Sequence, residues 1–117
     1  MPHTVKWDDL PEWEVLPNNF RKSVAGLQAG INRIHWVHPT GAPLHQHDDS
    51  EQVIIMIEGK AKFIVDGEET ILEPGDVCVI PMNTPHSGES VGEDAWFYEV
   101  FAPMRVQNLI GFLGRIF

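Results

Sequence analysis

The chain has 117 residues, enough for one domain, and carries 8 Lys plus Arg against 17 Asp plus Glu, a formal net charge of −9. An acidic chain lacks the basic surface that a nucleic acid or an anionic membrane attracts, and its apolar runs are too short to span a bilayer. A single cysteine, Cys78, excludes an internal disulfide, and with no recognisable signal peptide we expect a cytoplasmic protein.

The first 22 residues contain Pro11, Pro17 and an acidic cluster without a sustained period, and they predict an arm with one short strand. After them, β-branched and aromatic residues recur in short runs separated by Gly and Pro, which predicts strands. The predicted strands are 24–28, 31–38, 52–58, 60–65, 68–72, 77–80, 86–89 and 95–101. Asp66-Gly67, between the fourth and fifth, predicts a hairpin with a type I′ turn.

The last segment, 106–117, has a different pattern, because its apolar residues recur at helical spacing. We predict a short amphipathic helix whose apolar face covers a barrel end or contacts another subunit. The predicted organisation is therefore an arm at 1–22, a β-barrel at 23–105 and a helical tail at 106–117, all in one all-β domain.

The densest group of metal-binding residue types lies at 45–52. On an extended strand His45 and His47 project from the same face within about 7 Å, so both imidazoles can bind one ion, although such a pair also occurs on polar surface loops. Glu51 and Gln52 follow, and because neighbours on a strand point to opposite faces, only one of them can be a third ligand. The remaining histidines lack ligand spacing and are interpreted as surface or core residues: His3, His35 and His38.

A second block, at 74–86, contains a glycine, a proline and His86 in order. The two blocks together resemble the paired motifs of the cupin superfamily, which implies a single-domain double-stranded β-helix, or jelly-roll barrel. Counting back from Gly59 in the cupin motif favours Gln52 over Glu51. Asn83 stands where the second motif has a glycine, a mild change because Asn tolerates the left-handed conformation.

The resemblance implies one divalent metal ion, and imidazole ligands suit nickel, zinc, iron or manganese. The implied ligands are His45, His47, Gln52 and His86.

From about residue 5 to residue 105 the chain is similar to one branch of cupins, the KdgF type. Members of that branch turn 4,5-unsaturated monouronates, released from pectin or alginate, into linear keto forms, and an acidic residue, a Phe and an Arg are linked to catalysis. The matching positions are Glu99, Phe101 and Arg105, with Glu in place of Asp. The resemblance also implies a small-molecule substrate and a homodimer, with the N-terminal arm crossing to the partner.

The residue pattern of the last strand agrees in part, since Phe97, Glu99 and Phe101 share one face. If that face points into the barrel, Glu99 is a carboxylate in a largely apolar cavity, where it can transfer protons; otherwise it faces solvent. Arg105 either binds a substrate carboxylate through two parallel hydrogen bonds or pairs with a surface acid. We expect the tryptophans to occupy core or interface positions rather than to stack on a sugar. They are Trp7, Trp13, Trp36 and Trp96.

The function predicted first is that of a metal-dependent lyase or isomerase acting on a small carboxylate-bearing substrate. Two alternatives remain open: a cupin dioxygenase or polyketide cyclase, and a non-catalytic module that binds a metal or small ligand.

Overall fold

The structure, a computed structural model, describes residues 4–105 and 115–116. Apart from one turn of 3-10 helix at Trp7–Asp9, its regular elements are strands. They are β1 (Trp13–Leu16), β2 (Asn19–Ala25), β3 (Gly30–Trp36), β4 (Gly41–His45), β5 (Glu51–Glu58), β6 (Ala61–Val65), β7 (Glu68–Leu72), β8 (Val77–Ile80), β9 (His86–Ser90), β10 (Ala95–Ala102) and β11 (Arg115–Ile116).

The strands form two sheets that enclose a core. The larger sheet has the order β1-β2-β3-β10-β5-β8, with β11 paired to β2, and the smaller has the order β4-β9-β6-β7. Trp36 of β3 stacks on Phe63 of β6 with ring centroids 5.7 Å apart, and Phe97 of β10 meets the same Phe63 edge-on. The all-β jelly-roll architecture predicted from the sequence is thus confirmed.

Most strand predictions agree with the structure within two residues at each end. The exception is the first, because β2 begins at Asn19 and crosses the boundary drawn at residue 22. Its inward side chains include Asn19, Arg21 and Ser23, so the strand lacks the apolar alternation on which the prediction depended. β4 was not among the predicted strands; it contains Pro43, which an edge strand tolerates.

The turn predictions are confirmed by backbone angles. Asp66 and Gly67 both have positive φ, 51° and 79°, as a type I′ turn requires. Asn83 has φ of 59°, the left-handed conformation expected of a glycine substitute. Gly59 has φ of 74°, and a Cβ at this position would collide with the carbonyl oxygen of Asp94, so only glycine fits there.

The predicted C-terminal helix falls mostly on residues 106–114 and 117, which lie outside the described residues. The two described residues of that segment are not helical: they form β11, which pairs in parallel with Val24 and Ala25 of β2. The reason is that β1 pairs only with the first part of β2, as far as Arg21, and leaves the backbone beyond it available to another strand. No helix in the described ranges is long and apolar enough to cross a membrane.

Candidate metal centre

A cavity of about 240 Å³ lies between the two sheets. One end is rich in imidazoles, the middle carries the carboxylate of Glu99, and the other end is formed by β2. Its described lining residues are Asn19, Arg21, Ile34, Trp36, Ala42, His45, His47, Gln52, Phe63, His86, Ser87, Gly88, Phe97, Glu99 and Phe101.

Three histidines converge at one end of this cavity. His45, the last residue of β4, is the cross-strand partner of His86, the first residue of β9, and His47 follows two residues later. The ring centroid of His45 lies 4.8 Å from that of His47 and 4.2 Å from that of His86. One nitrogen from each ring can be chosen so that all three lie within 4.8 Å of one another, which is compatible with a shared metal ion.

Backbone carbonyls fix the tautomers of two of these rings. The Nδ1 atom of His45 lies 2.6 Å from the Pro43 oxygen, and that of His86 lies 2.8 Å from the Thr84 oxygen. A carbonyl only accepts, so in each neutral ring Nδ1 carries the hydrogen and Nε2 keeps the lone pair. The Nε2 atom of His86 is buried without a hydrogen-bond partner among the described residues, as expected of a nitrogen that can bind a metal ion.

The surroundings also keep two of the imidazoles neutral. Burial, reinforced by the nearby Arg105 guanidinium and the neighbouring imidazoles, lowers the pKa of His47 to about 4. Burial likewise lowers the pKa of His86. Since a metal ion binds the neutral form of imidazole, protons compete weakly with a cation at this end of the cavity near neutral pH.

The structure distinguishes the two candidates for a fourth ligand. Glu51 is exposed, whereas Gln52 is 4% exposed and lines the cavity. The amide nitrogen of Gln52 donates to Glu99 Oε2 at 2.9 Å, and its Oε1 is buried with no hydrogen-bond partner among the described residues. An ionised carboxylate can only accept, so Glu99 orients the amide with its oxygen available to a cation. The three imidazoles therefore fit a divalent ion, and of the two neighbours it is Gln52, not Glu51, that offers an unpartnered oxygen to the cavity.

A chain of hydrogen bonds across three strands holds Glu99. Ser23 Oγ donates to Asn32 Oδ1 at 2.7 Å, and Asn32 Nδ2 donates to Glu99 Oε1 at 2.9 Å. Arg21 adds an ion pair, with its NH2 group 3.7 Å from the same Oε1. The face of Glu99 does point into the barrel, but the carboxylate has polar neighbours instead of the largely apolar cavity expected from the sequence.

Sequence reasoning missed the inward polar residues of β2 and β3. Arg21 and Asn32 contact Glu99, and Asn19 lines the cavity farther along β2. The available signal was alternation of polar residues at 19, 21 and 23, which is easily taken for a loop because strand prediction searches for alternating apolar residues.

Phe101 and Arg105 both contact His47. The Phe101 ring is buried and meets the imidazole edge-on at 5.3 Å between centroids. Arg105 donates from NH1 to His47 Nδ1 at 2.5 Å and pairs through Nε with Asp49 Oδ1 at 2.8 Å. Arg105 thus pairs with an acid, and its binding of a substrate carboxylate stays a prediction. Because His47 Nδ1 accepts this bond, a metal ion on its Nε2 requires the bond to break.

The other histidines and the tryptophans lie away from this centre or in the core. Trp36 is buried against Phe63 and Phe97, as expected of a core residue. On the outer surface, Trp96 stacks on His35 with centroids 3.7 Å apart, and Trp7 stacks on Tyr98 at 5.9 Å. Of the remaining histidines and tryptophans, His38 contacts Ser90 and Trp13 is 39% exposed. His3 lies outside the described residues.

A family model described as a cupin domain matches residues 34–101, more than half of the chain, including the three histidines, Gln52 and Glu99. The chain belongs to the cupin family. Family membership explains why both histidine-bearing blocks are close in space, since a cupin barrel brings β4 and β9 together as neighbours.

Individual relatives cover this cupin to different extents. It is 24% identical over 104 residues to the pectin degradation protein KdgF of Dickeya dadantii, covering 87% of this chain and 94% of that protein. It is 44% identical to quercetin 2,3-dioxygenase of Bacillus subtilis over 45 residues, 38% of this chain but only 13% of that enzyme's length. Among solved structures, KdgF from a Halomonas species superimposes with a TM-score of 0.81 at 25% identity, covering 86% of this chain and 92% of that one. An RmlC-like cupin of Shewanella frigidimarina, with a TM-score of 0.84 and 18% identity over 92% of this chain and 96% of that one, shares the fold.

Proposed function

We propose that this cupin is a metal-dependent isomerase or lyase that converts 4,5-unsaturated monouronates into their linear keto forms. One observation supports the proposal above the others: a buried carboxylate, Glu99, shares a cavity with three imidazoles and with the amide oxygen of Gln52. The similarity to KdgF of Dickeya dadantii, which covers most of both chains, supports the same substrate class.

The proposed reaction requires one proton to move. When the ring of an unsaturated uronate opens, the anomeric hydroxyl loses a proton, the bond from the ring oxygen to the anomeric carbon breaks, and a carbon of the former double bond gains a proton. No atom is added or lost, so a single carboxylate can accept the proton and return it. Glu99 is the only carboxylate among the described lining residues, and its Oε2, which accepts from Gln52, keeps a further lone pair.

The remaining residues position these groups. When bound, a divalent cation held by the three histidines and Gln52 would polarise substrate oxygens as a Lewis acid. This donor set carries no negative charge, which favours an anionic substrate in a protein whose formal net charge is −9. Phe101 meets the ring of His47 edge-on, and in this proposal it positions that imidazole, whereas the bond from Arg105 to His47 Nδ1 breaks when a metal ion binds Nε2.

The test is conversion of unsaturated galacturonate or mannuronate by the metal-loaded protein, followed as loss of the absorbance of the conjugated double bond. We expect the loss to exceed the spontaneous rate and to depend on Glu99. The matched control is Glu51→Gln, which changes an exposed carboxylate next to Gln52 and should retain the rate. A rate equal to the spontaneous one in the wild-type protein contradicts the proposal.

A dioxygenase is the second candidate function, supported by the 44% identity to quercetin 2,3-dioxygenase over 45 residues. The same histidines would hold iron, and the substrate would be an enol or a catechol. Iron-loaded protein should then consume oxygen in the presence of quercetin, measured with an oxygen electrode. Consumption no greater than that of iron in buffer excludes this candidate.

A binding module without turnover is the alternative to both enzymes. Metal analysis of untagged protein separates them, because both enzymatic functions need a bound ion. A preparation without stoichiometric metal, and without affinity for added nickel or zinc, contradicts both enzymatic proposals.

We also propose that the protein is a homodimer. The outer face of β5 and β8 exposes apolar side chains of the kind found at protein interfaces: Ile57, Val77 and Val79 are 45%, 58% and 54% exposed. In the arm, Trp7 lies on Tyr98 of the same chain. Sedimentation over a range of concentrations tests the proposal, and a monomer at every concentration contradicts it. Val79→Lys should weaken the dimer if this face is the interface.

A further inference from the structure

The cavity has a second polar end to which the proposed function gives no role. Asn19 and Arg21 are two residues apart on β2, so both side chains project from its inward face, and both line the cavity. Their cross-strand partners on β3 are Trp36 and Ile34, which also line it. We call Asn19, Arg21 and Trp36 the β2 end of the cavity.

Two buried polar atoms at the β2 end lack partners among the described residues. Asn19 is 5% exposed and its Oδ1 accepts no hydrogen bond, while Trp36 is 2% exposed and its Nε1 donates none. Burying polar atoms without partners is costly, so the pair indicates a site for a polar ligand. A hydroxyl group suits both atoms, because it can donate to an amide oxygen and accept from an indole N–H.

Arg21 supplies the charge at this end. It is the only Arg or Lys among the described residues that line the cavity, and its side chain is 17% exposed. A guanidinium carries five N–H donors in a planar fork that matches the two oxygens of a carboxylate. Arg105 is placed differently: it pairs with Asp49, contacts His47, and is not among the described lining residues.

We propose that the β2 end binds the substrate carboxylate through Arg21 and an adjacent hydroxyl group through Asn19. The ligand is therefore a hydroxylated monocarboxylate, and the inference rests on the proposed function for the choice of a uronate. In a 4,5-unsaturated uronate the carboxylate is attached directly to the double bond. Anchoring it at Arg21, whose NH2 group is 3.7 Å from Glu99 Oε1, brings the carbon that gains the proton next to Glu99.

Binding of an unreactive ligand tests this assignment separately from turnover. The probes are D-galacturonate, which lacks the double bond, and its uncharged methyl ester, titrated calorimetrically into the zinc-loaded full chain. Arg21→Gln should weaken galacturonate binding by about tenfold to a hundredfold, the effect of losing a charge-assisted hydrogen bond, and should leave binding of the ester nearly unchanged. Arg21→Lys should lose less, because it keeps the charge without the fork.

Two further variants complete the experiment. Asn19→Ala should weaken the acid and the ester equally, by about fivefold, because both carry the hydroxyl groups. Arg33→Gln is the matched control, since Arg33 stacks on Trp96 on the outer surface, 4.7 Å from the ring centroid, and should bind both probes like the wild type.

The outcomes separate this inference from the proposed function. If Arg21→Gln weakens the binding of the acid and of the ester equally, the cavity is disturbed and the carboxylate assignment is overturned. The assignment is also overturned if the wild type binds no detectable galacturonate, or if the variant binds it as tightly as the wild type. Unchanged binding in Asn19→Ala overturns the hydroxyl assignment. Selective loss of acid binding in a protein that does not convert unsaturated uronates would support the inference and contradict the proposed function.

Discussion

Replacing Glu99 with glutamine changes one oxygen atom into an amide nitrogen, and we expect it to affect both proton transfer and metal binding. Glu99 accepts hydrogen bonds from Asn32 Nδ2 and Gln52 Nε2, each at 2.9 Å. A glutamine can accept at only one of these positions. At the other, its amide nitrogen must face the amide nitrogen of Asn32 or Gln52, and two donors then meet. Arg21, 3.7 Å from Oε1, favours keeping oxygen on the Asn32 side.

The new amide nitrogen therefore faces Gln52, which must rotate its amide to offer an acceptor. That rotation turns the Gln52 oxygen away from the three histidines and presents N–H donors to the cation. Loss of such a supporting partner typically costs about 10- to 100-fold in metal affinity, and loss of a general base about 10²- to 10⁴-fold in turnover. Because the negative charge near Arg21 is removed, the free energy of unfolding should also fall by about 2 kcal/mol.

Metal affinity is measured by competition with a chromogenic chelator, turnover by the absorbance of the conjugated double bond, and stability by urea unfolding of the metal-free protein. Glu51→Gln, at the exposed neighbour of Gln52, is the control for all three measurements. Gln52→Leu should lose metal affinity to a similar extent, because it removes the amide oxygen itself. If Glu99→Gln binds metal within twofold of the wild type while Gln52→Leu does not, the inferred orientation of the amide is wrong.

Three further predictions concern single sites. Gly88→Ala should destabilise the protein by about 1–3 kcal/mol in urea unfolding, because the added Cβ would meet a Phe63 ring carbon at 2.6 Å. Burial raises the pKa of the Cys78 thiol, so its alkylation should be slower than that of a free cysteine near neutral pH and should accelerate as the pH rises. Arg105→Ala should tighten zinc binding, because it removes a cation and a hydrogen bond that hold His47 Nδ1.

Each of these has a control and a contradicting result. Gly26→Ala adds the same methyl group where the nearest atom lies 3.9 Å away and φ is not positive, so equal destabilisation there would contradict the steric explanation for Gly88. Alkylation of Cys78 at the rate of free cysteine would contradict its burial. The control for zinc binding is Arg33→Ala, which should leave the affinity unchanged. If Arg105→Ala also leaves it unchanged, the Arg105 contact does not oppose the cation.

The sequence by itself determined the local features of this protein. Short β-branched runs predicted seven strands closely, and Asp66-Gly67 predicted its turn, because alternation and positive φ depend on residues that are neighbours along the chain. The two histidine-bearing blocks also identified three of the residues that converge. Their spacing within each block is local, and the order of the blocks matches that of a known family.

The tertiary structure decided the surroundings of the site. The loop between His47 and Glu51 hides which of the next two side chains points inward, and only the pairing of β5 with β10 shows Gln52 beside Glu99. The other partner of Glu99, Asn32, is 67 positions away in the sequence. The inward face of β2 carries polar residues because it lines a cavity, so it has no apolar period to detect. Such contacts depend on which strands become neighbours in a sheet, and that is set by the packing of the whole chain.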